Sequence, residues 1–206
     1  MIKLYGMGRS NYFSIAKACL LEKGMAFEEV ATQPSQDNDY LVKSPMGKIP
    51  CIETEQGFIS EAYAIADYLD SIQPEPCLLP ADAFARAKAL ELCRHLELDI
   101  ELVARRCLPG AFFGAPLSAE VKASTEQDLV KGTRAVDQLL VCGPYAAGSE
   151  FGLADIYAYY CLGLASAIVE KIFGRDLLDS LPRARDLLPL IGQHPSIARV
   201  EADKAG

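Results

Sequence analysis

One proline-containing stretch limits the possible folds of this chain more than any other. Residues 47–53 read Gly-Lys-Ile-Pro-Cys-Ile-Glu, and the apolar residues after Pro50 predict a short strand. Because proline cannot donate to the ladder of a sheet, this strand must begin at an edge or in a turn. A second short strand should end near Ile59, and a helix follows from Glu61, where the helix dipole favours a carboxylate.

The chain up to residue 73 alternates between strand patterns and helix patterns. The order β-α-β-α-β-β-α resembles a thioredoxin-like α+β domain, with helices packed on a mixed four-stranded sheet. The predicted elements are a strand at 2–5, a helix at 10–24, a strand at 27–31, a helical turn at 40–43, the two short strands around residues 51–59 and a helix at 61–72.

Three prolines within seven residues, Pro74, Pro76 and Pro80, mark a boundary. We therefore predict a first domain over 1–73, a linker over 74–82 and an all-helical domain over 83–206. Asp82 is a suitable N-cap for a long helix whose Leu92, Leu96, Ile100 and Val103 recur at helical spacing.

A nearly all-apolar helix should follow Phe151 and form the centre of the second domain. If Gly152 is its N-cap, Asp155 stands at N3 and accepts from the backbone N–H of residue 152. We therefore assign Asp155 a structural role.

The Ile-Pro strand, followed by Glu at a helix start and then Ala-Ile-x-x-Tyr-Leu, resembles the glutathione-binding half of the glutathione S-transferase superfamily. The resemblance implies that Ile49, before a cis-Pro50, pairs its backbone with the cysteinyl part of glutathione. It also implies that Glu61 holds the γ-glutamyl end. Ala62 stands where the family usually has Ser, so only its backbone N–H is available there, and Lys48 is a candidate for the glycyl carboxylate.

A transferase of this kind must hold the thiol of glutathione as thiolate. Ser10 follows the first strand and begins the first helix, where a hydroxyl and the helix dipole both favour a negative sulfur. The segment around it resembles the serine-type members of the family, bacterial and theta- or zeta-like, and we select Ser10 as the catalytic residue. Three alternatives stay open: Ser10 as an N-cap only, Tyr5 as the donor, and Ser14 as an assisting hydroxyl one turn along.

The resemblance places a hydrophobic second substrate between the two domains. Apolar residues suited to bind it occur at the start of the first helix and after the long helix, although such residues are more often part of a core. They are Tyr12, Phe13, Leu108, Phe112 and Phe113.

Composition excludes several other classes of protein. A net charge of −8 argues against nucleic-acid binding and against anionic membranes. The longest apolar segment, 156–169, is shorter than the roughly 20 residues that cross a bilayer. Seven cysteines form no C-x-x-C pair and show no zinc spacing, which favours buried, reduced thiols in a cytoplasmic protein without a metal.

The sequence therefore predicts a cytoplasmic, homodimeric glutathione S-transferase of the detoxification type. It would activate glutathione and conjugate it to an apolar electrophile, or reduce a peroxide with it. Two alternatives are a glutathione-dependent cis–trans isomerase, for which Arg9 is the candidate cation, and a transferase-fold binding protein without catalysis.

Overall fold

The computed structural model describes residues 1–205. Contacts between residues divide the chain into two compact units. The first unit comprises Met1–Leu79 together with the segment that begins at Gln193, and the second unit is Pro80–Gly192. The boundary at Leu79 and Pro80 falls within the predicted linker.

The first unit contains the predicted mixed four-stranded sheet. The spatial order is β2-β1-β3-β4, with β1 parallel to β2, and with β3 antiparallel to both β1 and β4. The predicted thioredoxin-like fold is thereby confirmed. The strands are β1 (Ile2–Gly6), β2 (Phe27–Ala31), β3 (Cys51–Thr54) and β4 (Gly57–Ser60).

Helices make up the rest of the regular structure within residues 1–205. Those of the first unit are α1 (Asn11–Glu22), α2 (Asn38–Leu41), α3 (Ala62–Ile72) and α10 (Pro195–Ala205). Those of the second unit are α4 (Ala83–His95), a π-helix (Leu96–Glu101), α5 (Leu102–Arg105), α6 (Leu108–Phe113), α7 (Ala119–Leu139), α8 (Leu153–Phe173), a 3₁₀ helix (Leu177–Ser180) and α9 (Pro182–Gly192).

Helices α1 and α3 pack against each other and against the sheet. Two apolar residues of α3 do not face the core: Ala64 is exposed, and Ile72 is 50% exposed. The buried positions of this helix are Ala62, Ile65, Ala66 and Leu69. Small residues on this face let the helix approach the sheet closely.

Lys23 fastens the end of α1 to the end of α3. Its side chain is fully buried, and its ammonium lies 2.5 Å from Asp70 Oδ1, 2.7 Å from the Gln73 carbonyl oxygen and 2.5 Å from that of Pro76. Asp70 Oδ1 also accepts from the Leu78 N–H at 2.7 Å. The ammonium thus donates hydrogen bonds to the carbonyl groups of Gln73 and Pro76, which follow α3 and have no partner within a helix or strand of the described chain.

The second unit is built around a long helix that continues from α4 through the π-helix into α5. Asp82 caps it by accepting from the Ala85 N–H at 2.8 Å, as predicted. The π-helix was not predicted. Gly132 of α7 lies against it, and a Cβ added there would stand 2.2 Å from the Asp99 carbonyl oxygen. The predicted stripe is buried throughout: Leu92, Leu96, Ile100 and Val103.

Helix α8 occupies the centre of the second unit. It is the one helix within residues 1–205 whose length and composition would allow it to cross a membrane, with a mean hydropathy of 1.3 over 18 residues. It contacts α4, the π-helix and α9, which accounts for its apolar sequence. Its N-terminus carries the predicted capping arrangement: Asp155 accepts from the Gly152 N–H at 3.0 Å and from the Ala146 N–H at 2.8 Å.

Helix α10 departs from the predicted domain boundaries. The sequence assigned all of 83–206 to the helical domain, but the segment from Gln193 onward groups with the first unit. Ile197 and Val200 are buried, and α10 packs on α1. Burial of this apolar face is the physical reason for the difference.

Candidate active site

The register of the sheet gathers the predicted glutathione-binding residues at one end of the first unit. Tyr5 of β1 pairs with Cys51 of β3, and Cys51 pairs with Ser60 of β4. Because β3 runs opposite to both neighbours, the residues after Tyr5, before Cys51 and after Ser60 all leave the sheet at the same end. The loops that carry Ser10, Ile49 and Glu61 therefore converge there.

Ser10 is the N-cap of α1. Its backbone is extended, with φ −83° and ψ 122°, and its Oγ accepts from the Phe13 N–H at 3.3 Å. Within residues 1–205 the hydroxyl hydrogen itself has no acceptor. An N-cap hydroxyl accepts with its oxygen and keeps its hydrogen for another group, so capping and donation to a sulfur are compatible.

Ser14 is not available as a second donor at this site. It is fully buried, and its hydroxyl donates to the Ser10 carbonyl oxygen at 3.1 Å. Ser14 thus supports the first turn of the helix.

The hydroxyl of Tyr5 is engaged elsewhere. It donates to Glu53 Oε2, and Lys3 Nζ lies 3.4 Å from the same oxygen. Glu53 lies two residues after Cys51 in β3 and therefore away from the end of the sheet where the loops converge. The hydrogen bond to Glu53, together with burial, raises the pKa of Tyr5 to about 12. This geometry favours Ser10 over Tyr5 as the thiolate donor.

The backbone of residues 47–50, which precede β3, is constrained by its neighbours. The Ile49–Pro50 bond is cis, and both residues are buried. Gly47 has φ +64°, and a Cβ there would lie 2.2 Å from the Ser35 carbonyl oxygen, so only glycine fits. Lys48 is exposed, and its carbonyl accepts from the Tyr40 hydroxyl at 3.1 Å.

Glu61 precedes the first residue of α3 and adopts φ 72° and ψ 120°. A side chain rarely takes this backbone conformation, and strain of this kind is concentrated at functional sites. Glu61 is exposed and makes no capping hydrogen bond to α3. The first turn of α3, beginning at the buried Ala62, therefore retains backbone N–H groups without intrahelical acceptors beside a carboxylate.

The predicted apolar residues fall into both units. In the first unit Tyr12 is half-buried, whereas Phe13 is only 3% exposed and lies against Gly6, which favours a core role for Phe13. In the second unit Phe112 and Phe113 of α6 are 42% and 77% exposed. Leu108 begins the same helix and is half-buried. Lys171 Nζ stands 5.0 Å from the centre of the Phe112 ring.

The cysteines follow the sequence-based expectation of buried thiols for the most part. All seven are free, and five are buried. Cys51 lies beside the convergent end, but burial raises its pKa, which does not suit a nucleophile. Within residues 1–205, no three side chains of the metal-binding types form a group.

Sequence reasoning missed two features of this site. One is the positive φ of Glu61, which no local sequence pattern predicts. The other is Lys204 of α10, whose Cγ lies 3.9 Å from the position of a Cβ at Gly8, in the loop before Ser10. A residue almost 200 positions away in the chain gives no sequence signal of this contact.

Comparisons with known proteins point to one family. The family model described as the N-terminal domain of glutathione S-transferase matches residues 4–77. A glutathione S-transferase of Pseudomonas putida is 42% identical over 204 residues, which cover 99% of this chain and 93% of that protein.

More distant relatives extend the likeness. A maleylacetoacetate isomerase of Pseudomonas aeruginosa is 26% identical over 208 residues, covering 95% of this chain and 93% of that protein. The crystal structure of glutathione transferase F2 from Populus trichocarpa superposes with a TM-score of 0.83 at 21% identity, covering 100% of this chain and 99% of the other. At that identity the superposition shows the fold.

Proposed function

Because this chain belongs to the glutathione S-transferase superfamily, we propose that it activates glutathione through Ser10 and conjugates it to an apolar electrophile. The identity of 42% over nearly the whole chain makes it a glutathione transferase. The roles of individual residues are the proposal. The observation that carries them is the convergence of the Ser10, Ile49 and Glu61 loops at one end of the sheet.

Ser10 is proposed to donate its free hydroxyl hydrogen to the glutathione sulfur. A free thiol titrates near pKa 8.5, so a shift of about two units requires roughly 2.7 kcal/mol of selective stabilisation of the thiolate. A hydrogen bond to a charged group supplies about 1.5–3 kcal/mol. The N-terminus of α1, twelve residues long, adds a favourable dipole.

The remaining groups are proposed to hold the tripeptide. The Ile49 backbone pairs with the cysteinyl part, next to Pro50, and Lys48 meets the glycyl carboxylate. Glu61 binds the γ-glutamyl ammonium, and the Ala62 N–H meets the γ-glutamyl carboxylate. The absence of a hydroxyl at Ala62 should lower the affinity relative to a serine at this position.

The chemical step needs no further group. The thiolate attacks an electrophilic carbon, a C–S bond forms, and the leaving group departs with its electron pair or the adduct takes up a proton. The proposed apolar contact for this second substrate on the first unit is Tyr12. On the second unit, taken by itself, the proposed apolar contacts are Leu108, Phe112 and Phe113. Peroxide reduction is proposed as a side activity of the same thiolate.

Retention on immobilised glutathione tests the binding roles. Wild type should be retained, and Glu61→Ala should bind about 10- to 100-fold more weakly, since a charge-assisted hydrogen bond is lost. Glu61→Gln is the matched control for shape. Ala62→Ser should tighten binding by about two- to tenfold through one added hydrogen bond. Equal retention of wild type and Glu61→Ala would remove Glu61 from the site.

A glutathione-dependent isomerase is the second candidate, because the Pseudomonas aeruginosa relative carries that name. An isomerase adds the thiolate and later expels it, so glutathione is not consumed. A conjugating transferase consumes one glutathione for each product. Measuring the free thiol at the end of the reaction distinguishes the two, and a binding protein without catalysis would show neither turnover.

We also propose that the protein acts in detoxification, in the cytoplasm and as a homodimer. The five buried, free cysteines support a reducing compartment. Exposed apolar side chains on the first unit, namely Val42, Met46 and Phe58, support a covered surface. Light scattering of the purified chain tests the dimer, and a monomeric mass would contradict it.

A further inference from the structure

The contact between α10 and α1 contains a buried cation. Lys17 lies in the middle of α1 and is only 4% exposed. Its ammonium stands 2.6 Å from Glu29 Oε1 of β2 and 2.7 Å from Asp203 Oδ2 of α10. Arg199, one turn earlier on α10, also donates to Asp203 at 2.9 Å. Hydrogen bonds from Lys17 and then from Arg199 lower the pKa of Asp203, so this carboxylate is ionised at neutral pH.

The loop before Ser10 is anchored at its start by Met7, which packs against the buried cluster that contains Tyr5 and Ile49, but its middle is exposed. Gly8 and Arg9 are exposed, and the loop is closed by one backbone hydrogen bond, from the Ser10 N–H to the Met7 carbonyl oxygen at 3.0 Å. Beyond the residues adjoining Gly8, Lys204 Cγ is the one heavy atom of the described chain within 4 Å of a Cβ placed there. Lys204 follows Asp203 directly, and its ammonium is 2.7 Å from Glu201 Oε1.

We propose that the Lys17–Asp203 contact is a positioning device for the Ser10 hydroxyl. The last turn of a helix frays unless it is held, and Asp203 holds this turn against the buried ammonium. The stem of Lys204 then lies beside Gly8 and restricts the loop that ends at Ser10. Lys17 and Asp203 touch no substrate and act through that loop. The inference rests on the proposed role of Ser10 in glutathione activation.

A displaced donor has a measurable chemical effect. A misplacement of about 1 Å can lower a rate by up to 100-fold. A role limited to stability would instead change the urea midpoint and leave both the thiol titration and the rate of the folded protein unchanged.

Asp203→Asn is the test, because it removes one partner while Glu29 still faces Lys17. We expect the pKa of the bound glutathione thiol to rise by about half to one unit, and kcat/KM, measured about one pH unit below the wild-type thiol pKa, to fall about three- to tenfold. The Ser10 amide should exchange its hydrogen at least about threefold faster. Asp203→Glu should restore most of both. Glu91→Gln, which removes an equal charge from an exposed pair with Lys88 on α4, should change kcat/KM less than about twofold.

Lys204→Ala gives a second test that leaves the buried pair intact. It should raise the exchange rate of the Ser10 amide and the thiol pKa in the same direction as Asp203→Asn. If the amide exchange, the thiol pKa and kcat/KM of both variants equal those of wild type, the proposal is overturned. If Ser10 plays no part in activating glutathione, the thiol pKa of wild type equals that of Ser10→Ala, whereas the amide exchange still reports on the loop. The two failures are therefore distinguishable.

Discussion

Replacing Ser10 by alanine separates its two roles, as an N-cap and as a donor to the glutathione thiolate. The cap is a bond of 3.3 Å from the Phe13 N–H to Ser10 Oγ, long for its type. Caps are worth about 0.5–2 kcal/mol, and the length places this one in the lower half, about 0.5–1 kcal/mol. Ser10→Ala should therefore lower the free energy of unfolding by that amount and leave the fold intact.

The donor role predicts a larger effect on chemistry. Loss of a hydrogen bond to a charged group, about 1.5–3 kcal/mol, corresponds to a rise of about one to two units in the pKa of the bound thiol. At a pH about one unit below the wild-type thiol pKa, kcat/KM should fall about 10- to 100-fold. The two proteins should converge at a pH above the thiol pKa of the variant, because glutathione is then thiolate in both.

The assay is the ultraviolet absorbance of the bound thiolate, titrated in wild type and variant, with urea unfolding of both proteins. Ser14→Ala is the matched control: it removes a hydroxyl from the same helix, bonded to the Ser10 carbonyl oxygen, and should not shift the thiol pKa. Ser10→Thr keeps a hydroxyl and should retain part of the shift. Identical thiol titrations for wild type and Ser10→Ala would refute the reasoning.

Three further substitutions have defined outcomes. Tyr5→Phe should leave the thiol pKa unchanged and kcat/KM within about twofold of wild type, because the Tyr5 hydroxyl already donates to Glu53. A loss of kcat/KM as large as that of Ser10→Ala would instead identify Tyr5 as the donor. Lys23→Met should lower the free energy of unfolding in urea by about 3–5 kcal/mol, because it leaves Asp70 and nearby carbonyl groups unpaired. A decrease below about 1 kcal/mol would contradict the stabilising role of the Lys23 contacts. Burial raises the pKa of Asp155 to about 6, above its unfolded value near 4, so its contribution to stability declines as the pH rises from about 4 to 6. The urea midpoint of wild type should therefore fall between pH 4 and pH 7 relative to that of Asp155→Asn, which lacks the titrating carboxyl. The same pH dependence in both proteins would show that other groups cause it.

Local patterns predicted those parts of the fold that depend on neighbours in sequence. The capping arrangement at Asp155 and the buried stripe of the long helix both follow from spacing within one or two turns. The mixed sheet with its proline-led strand was predicted by the same means together with the family resemblance. The convergence of three loops at one end of the sheet then follows from antiparallel pairing.

Features that depend on distant residues were not predictable. Lys23 directly follows α1 in the chain, yet it donates to carbonyl groups some 50 positions away. Lys17 stands among apolar residues, which is compatible with a buried ammonium. No pattern in the sequence identifies Asp203 of α10 as its partner. The π-helix also lacks a local signal, since it arises where α7 approaches through Gly132.

The return of α10 to the first unit has a consequence for synthesis. The ribosome releases the sheet and helices of that unit long before it makes α10, so Lys17 is translated about 185 positions ahead of Asp203. Until then Lys17 can pair with Glu29 but not with Asp203, and the nascent unit lacks the apolar face supplied by Ile197 and Val200. The first unit therefore completes its packing only after the whole helical unit has been translated.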